Sequence, residues 1–245
     1  MPEVVPESVK EAIVLVDIEG TTSAISFVHD VLFPYARAQL PTFVAEHGAE
    51  PEVRAILDAV AEREQLADDD AVVATLQRWI DEDRKETALK DLQGRIWEAG
   101  YRGGAYRAHL YDDAVEALRG WHDAGIDLHV YSSGSVHAQK LFFAHSSAGD
   151  VSGWFSAHFD TTVGGKREAE SYRRIADALG AAPADVLFLS DVPEELDAAR
   201  EAGMDTRWVI RENEGRFTLA DAAGRGHVAV ERLTDIELPA QPPGP

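Results

Sequence analysis

The 245-residue sequence contains no cysteine. That excludes disulfides, thiolate metal sites and a cysteine nucleophile, and is neutral towards a reducing compartment. Basic residues are also scarce. Lys and Arg total 23 against 44 Asp and Glu, a formal charge of −21, and such a field repels nucleic acid and anionic membrane. Any anionic ligand must therefore be met by local positive charge. No apolar run approaches the roughly 20 residues that span a bilayer. The opening MPEVVPESVKEAIVLVD has neither the basic segment nor the long apolar one that directs export. These absences lead to the expectation of a soluble cytoplasmic protein with no nucleic-acid or membrane partner. No oligomerisation seam is evident, so a monomer is expected.

What is present is a repeating alternation. Ala12 to Val16 is apolar without a period of two and runs into Asp17, as expected of a parallel strand buried on both faces. Similar runs occupy Ile126 to Tyr131, Val186 to Leu189 and Thr206 to Ile210, and a strand or loop is expected around Phe155 to Thr161. Helical patterns lie between them at Asp112 to Ala124, Ala138 to His145, Glu168 to Leu179 and Glu194 to Ala202. Gly125, Gly180 and Gly203 stand near their ends. The expected fold is α/β, a doubly wound parallel sheet of the Rossmann type with ligands beyond the carboxyl ends of its strands.

From about Ser23 to Leu110 the strands stop. Asp30 to His47, Glu52 to Gln65, Ala71 to Lys85 and Thr87 to Ala99 carry apolar residues at helical spacing, such as Val73, Leu76, Trp79 and Ile80. Residues 23–110 are therefore expected to be an inserted all-helical cap, and residues 1–22 with 111–237 the catalytic core. The Pro-rich residues 238–245 are expected to be a flexible tail. Ala67-Asp68-Asp69-Asp70 is read as an inter-helix loop and helix cap.

Four fragments carry the candidate chemistry. Asp17-Ile18-Glu19-Gly20-Thr21-Thr22 brings two carboxylates out where the first strand ends. Asp17 needs no deprotonation to attack phosphorus. Glu19, with a raised pKa, would protonate the leaving oxygen and then activate water. Tyr131-Ser132-Ser133-Gly134-Ser135 offers hydroxyls and successive amides before a helix, an anion-binding concavity. Gly164-Gly165-Lys166 lets backbone approach closely and adds a point charge for a phosphoryl oxygen. Val186 to Ser190 delivers Asp191, which with Asp17 suits magnesium, a hard cation that takes few protein carboxylates; Glu195, one helical turn further on, is read as a holder of a metal-bound water.

Each fragment alone has a plainer reading, as a turn cap, a helix N-cap, a surface lysine and a dipole partner. Together they supply nucleophile, acid/base group, anion site, cation and metal carboxylate, the needs of phosphoryl transfer. His29 and His137 are read as structural or surface histidines rather than bases. Phe27, Phe33, Tyr35 and Trp97 either shape an apolar pocket or pack the helical segment's own core.

The motifs DIEGTT, YSSGS, GGK and LFLSDVPEE resemble those of the haloacid dehalogenase-like hydrolases. More narrowly, DIEGTTSAISFVHDVLFPYA, LQGRIWEAGY, YSSGSVHAQKLFF, HFDTTVGGK and LFLSDVPEELDAAREAG resemble the enolase-phosphatase family of methionine salvage. The resemblance implies enolisation of 2,3-diketo-5-methylthiopentyl-1-phosphate, then hydrolysis to the acireductone 1,2-dihydroxy-3-keto-5-methylthiopentene. It implies one magnesium ion per subunit, contacted by Asp17, the Glu19 backbone carbonyl and Asp191. Asp17 is then the nucleophile, and Ser132, Ser133 and Lys166 hold the phosphate. The broad superfamily usually has aspartate where Glu19 stands. Glutamate fits the narrower family, and an enolate leaves more readily than an alkoxide, with less need of a general acid. The alternatives are a capped magnesium-dependent phosphatase of a sugar or alcohol phosphate, a non-catalytic binding relative of the same fold, which need not keep Asp17, Glu19, Lys166 and Asp191 together, and a dehalogenase. The latter needs no magnesium, so Asp191 and Lys166 argue against it.

Overall fold

The computed structural model describes residues 13–238. Ala12 and the tail beyond residue 238 lie outside them. The described chain divides into two compact units, one containing residues up to Ile25 and from His109 onward, the other Ser26–Ala108.

The first unit is built on six parallel strands: β1 (Ile13–Val16), β2 (Asp127–Tyr131), β3 (Phe155–Phe159), β4 (Val186–Ser190), β5 (Asp205–Val209) and β6 (Val228–Val230). Their order is β3-β2-β1-β4-β5-β6, all parallel. The alternating helices of this unit are α5 (Asp112–Asp123), α6 (Val136–Ala144), α7 (Ala169–Leu179), α8 (Pro193–Glu201) and the short α9 (Leu219–Ala222). Strand order reverses between β1 and β4, the place where such sheets open a crevice. Val14, Leu15 and Val16 are wholly buried. Full burial is why β1 reads as an unbroken apolar run rather than an alternating one.

Register decides where the loops emerge. Val16 pairs with Val130 on one side and Leu189 on the other, and the Asp17 amide donates to the Leu189 carbonyl at 3.0 Å. The residues that follow these three strands therefore come out level with one another. Below them Leu15, Tyr131, Tyr172, Phe188, Leu196 and Trp208 belong to one buried cluster. Burying a side chain of this size stabilises by roughly 1.5–3 kcal/mol, so the strand ends sit on a rigid floor.

The second unit holds α1 (Phe33–His47), entered through a π-helical stretch at Phe27–Leu32, and α2 (Pro51–Glu64), α3 (Asp69–Asp81) and α4 (Thr87–Arg102). Leu40, Leu57, Leu76, Trp79, Leu89 and Leu92 form its core. Asp68 caps α3, accepting from the Ala71 amide at 2.9 Å, as the acidic stretch suggests. The helix expected over Ala71 to Lys85 ends earlier, at Asp81. Asp83 turns left-handed at φ 51°, and the Arg84 amide bonds back to the Trp79 carbonyl at 2.9 Å. Arg84 and Arg63 both lie 4.7 Å from the Trp79 ring, a cationic cover that favours the early turn.

Sequence patterning misses β6 and α9. Three residues, Val228–Val230, are too short to show a period, and Val228 is exposed.

Candidate active site

Asp17 leaves β1 buried beneath the sheet edge, and its carboxylate is not alone. The Lys166 ammonium lies 2.7 Å from Asp17 Oδ1 and 2.7 Å from Glu195 Oε2. Its side chain is only 10% exposed. Burial works against the Lys166 charge, but Asp17 and Glu195 outweigh it and hold the ammonium above its ordinary pKa.

Two tyrosines aim this lysine. The Tyr131 hydroxyl, from the end of β2, donates to the Gly164 carbonyl at 2.9 Å. The Tyr172 hydroxyl, from α7, donates to the carbonyl of Lys166 itself at 2.6 Å. Gly164 has φ 143°, and a Cβ there would fall 2.2 Å from Ser171 Oγ. Only glycine lets this loop pass so close to α7.

Asp191 follows β4. Its amide donates to Thr21 Oγ1 at 3.0 Å and its carbonyl accepts from the Trp208 indole at 3.0 Å, so the backbone is held from both sides. Asp191 Oδ2 accepts from Arg216 at 2.8 Å, whereas buried Oδ1 has no hydrogen-bond partner among the described residues. Burial raises the Asp191 pKa to about 7, with the nearby Asp17 charge adding to the shift and Arg216 opposing it. Glu195 is likewise raised to about 7 by burial and Asp17, against the pull of Lys166. Its Oε2 also accepts from the Ser190 hydroxyl at 3.0 Å. Glu195 thus joins the group by gripping Lys166, a contact that its place one turn into α8 does not foretell.

The turn between Asp17 and Ser23 is tight. The amides of Thr21, Thr22 and Ser23 all donate to the Ile18 carbonyl, and Gly20 takes φ 75°. A Cβ on Gly20 would lie 2.4 Å from Asp191 Oδ2. Glu19 is half-buried in this turn. Gly20→Ala is therefore expected to push the Asp191 carboxylate aside and strain the turn. It should cost about 1–2 kcal/mol of stability and, through misplacement on the order of an ångström, about 100-fold in kcat. Thermal denaturation and phosphate release measure the two effects.

Ser132 is buried at the end of β2, its amide on the Phe159 carbonyl at 3.2 Å and its hydroxyl accepting from the Gly134 amide at 3.3 Å. Ser133 is exposed on the same turn. Ser135 caps α6, accepting from the Ala138 amide at 3.2 Å. His29 is exposed and meets Phe33 edge-on; His137 is exposed as well. Among the aromatic candidates Phe33 stacks on Trp97, while Phe27 and Tyr35 both meet Tyr106.

This donor set fits a hard cation. Asp17, Glu195 and Asp191 bring three carboxyl groups to one strand edge, and Asp191 Oδ1 has no hydrogen-bond partner among the described residues. Among the described residues no group of three or more His, Cys, Asp or Glu side chains is arranged to enclose a metal. Oxygen donors of this kind suit magnesium, a hard cation that keeps several waters and takes few protein carboxylates.

Arg216 escapes sequence reasoning. It stands in irregular chain beyond β5, and no local pattern distinguishes it from a solvated arginine.

Residues 12–203 match the haloacid dehalogenase-like hydrolase family. Enolase-phosphatase E1 of Stenotrophomonas maltophilia strain K279a is 59% identical over 227 residues, 92% of this chain and 98% of that protein. The chain belongs to the enolase-phosphatase E1 family of haloacid dehalogenase-like hydrolases. The enolase-phosphatase E1 of Pseudomonas aeruginosa strain UCBPP-PA14 is 57% identical, covering 86% of this chain and 96% of its own. Among solved structures, the Unknown transcript 4 protein of Saccharomyces cerevisiae superposes with a TM-score of 0.77 at 32% identity, over 91% of this chain and 98% of that one. CbbY of Rhodobacter sphaeroides, solved with phosphate, shares the fold at a TM-score of 0.57 and 16% identity, over 92% and 95% of the two chains. The enolase-phosphatase relatives span the strands and the helical segment alike. No helix among the described residues is long and apolar enough to cross a membrane.

Proposed function

We propose that this enzyme is an enolase-phosphatase of methionine salvage, converting 2,3-diketo-5-methylthiopentyl-1-phosphate to the acireductone 1,2-dihydroxy-3-keto-5-methylthiopentene and phosphate. One observation carries the reading. A buried lysine is held 2.7 Å from a strand-end aspartate in a chain 59% identical to an enolase-phosphatase over nearly its whole length.

In the first step a base takes a proton from the carbon bearing the phosphoryl oxygen, and the neighbouring carbonyl oxygen becomes the enol hydroxyl. Glu19 is assigned this role, since it shares the turn with Asp17. In the second step an Asp17 oxygen attacks phosphorus, the bond to the bridging oxygen breaks, and the enolate leaves. Water then cleaves the acyl phosphate, returning the Asp17 carboxylate and releasing phosphate. Lys166 neutralises a phosphoryl oxygen while keeping Asp17 oriented; Ser132 and Ser133 supply the hydroxyls and amides of the anion site.

Phosphatases of this family are generally magnesium-dependent. Here Asp17, Asp191 and the Glu19 carbonyl would hold one ion per subunit. When bound, the ion supplies positive charge that offsets the charge on the phosphoryl group. Residues 23–110 are assigned as the inserted helical cap. The working form is a cytoplasmic monomer.

The test is an assay on the diketo phosphate or its desthio analogue, followed by absorbance and phosphate release. Enediol absorbance and free phosphate are expected in sequence, and both phosphate release here and hydrolysis of p-nitrophenyl phosphate should stop when magnesium is chelated. Phosphate without any enol product would point to a simple phosphatase of sugar or alcohol phosphates. Turnover that ignores magnesium would remove the mechanism.

A further inference from the structure

Arg211 follows β5 and is buried, with 8% of its surface exposed. Its Nε and Nη2 donate to the Thr21 carbonyl at 3.1 and 2.7 Å. Its Nη1 donates to both Asp113 oxygens, at 2.8 and 2.9 Å, and to the Glu231 carbonyl at 3.1 Å. Asp113, buried in the first turn of α5, also accepts from the Leu233 amide at 2.7 Å. The guanidinium carbon lies 4.2 Å from the Tyr111 ring centre, and the Tyr111 amide donates to the Thr22 carbonyl at 3.0 Å.

We infer that Arg211 is a positioning residue of the phosphoryl-transfer site: it pins the Thr21 carbonyl, and Thr21 pins the Asp191 backbone beside the Asp17 turn. This rests on the reading of Asp17 and Asp191 given above. The amides of Thr21, Thr22 and Ser23 are spent on the Ile18 carbonyl and that of Gly20 on the Ser23 carbonyl, and the Thr21 carbonyl, wholly buried, takes its donors from Arg211. With that carbonyl held by two N–H groups, Thr21 presents Oγ1 to the Asp191 amide. A brace serving the fold alone would need only the pair with Asp113. The second arm, onto the turn, is what ties Arg211 to the site. A planar fork reaches Thr21 and Asp113 at once; the single ammonium of lysine does not.

The experiment compares Arg211→Lys, Thr21→Val, Thr21→Ser and Asp113→Asn in the full chain. It measures thermal midpoint, kcat and KM on a phosphate monoester, and magnesium affinity by calorimetry. Arg211→Lys and Thr21→Val should lower kcat by about 100-fold and weaken magnesium binding about 10- to 100-fold, with KM little changed. Thr21→Ser keeps the hydroxyl and should restore both. Asp113→Asn should lower the thermal midpoint while kcat stays near that of the parent.

Unchanged kcat and magnesium affinity in Thr21→Val would overturn the inference. So would an equal loss of kcat in Asp113→Asn and Arg211→Lys. If Arg211→Lys does not fold, the two Thr21 variants decide. The underlying reading fails by a different result, normal phosphate release by Asp17→Asn.

Discussion

Asp17→Asn is expected to stop phosphate release, lowering kcat by about 10⁴-fold or more, while leaving the protein folded. An amide oxygen has no anionic lone pair to offer phosphorus, so no acyl phosphate forms. The substitution is close to isosteric, and Lys166 keeps Glu195 as a partner at 2.7 Å. The buried charge is therefore not stranded. Loss of the Asp17 charge also removes one of the causes that hold the Asp191 and Glu195 carboxyls high. Enolisation should survive if Glu19 is the base, so enediol absorbance with no free phosphate is the expected signature. Stopped-flow absorbance with a phosphate assay reads both. Normal phosphate release would mean that another group attacks phosphorus.

Lys166→Met should be the more damaging change overall. It removes the cation shared by Asp17 and Glu195 and leaves their carboxylates facing each other in a buried site that also contains Asp191. Breaking a buried ion pair from one side costs about 3–5 kcal/mol, and losing a preorganised cation at a phosphoryl group costs on the order of 10²–10³ in kcat. Both should appear together, as a lower thermal midpoint and slow phosphate release at saturating substrate. Lys166→Arg separates them. It keeps the charge and hence much of the stability, but its broader head does not fit between oxygens 2.7 Å away on either side, so turnover should stay low. A Lys166→Met variant with parental kcat would show that the phosphoryl charge is met elsewhere.

These outcomes turn on a site that is partly legible in the amino-acid sequence. Asp17, Lys166 and Asp191 lie together, with Asp17 and Lys166 in direct contact, because Asp17 and Asp191 follow adjacent buried strands paired in register and the glycine loop after the partly exposed edge strand β3 carries Lys166 to the same edge. A strand buried on both faces must be apolar throughout, so its end is marked by the first charged residue, here Asp17 and, after Ser190, Asp191. Glycines at Gly20 and Gly164 mark the sharp turns, since their φ angles of 75° and 143° exclude other residues without strain. Helical spacing likewise reveals the four-helix segment, since its Leu and Trp stripes must face a common core.

Arg211, Arg216 and the grip of Glu195 on Lys166 are not legible in this way. An arginine in a loop looks the same whether it is solvated or buried; what distinguishes Arg211 is that Asp113, distant in sequence, arrives beside it. Local propensity and periodicity thus specify the longer strands and helices, though not β6 or α9, and the chemical groups at their ends, because those depend on neighbours in sequence. Which cation meets which carboxylate, and which oxygen of Asp191 is left without a hydrogen bond among the described residues, depends on strand order and register, and these exist only once the sheet has closed around β1.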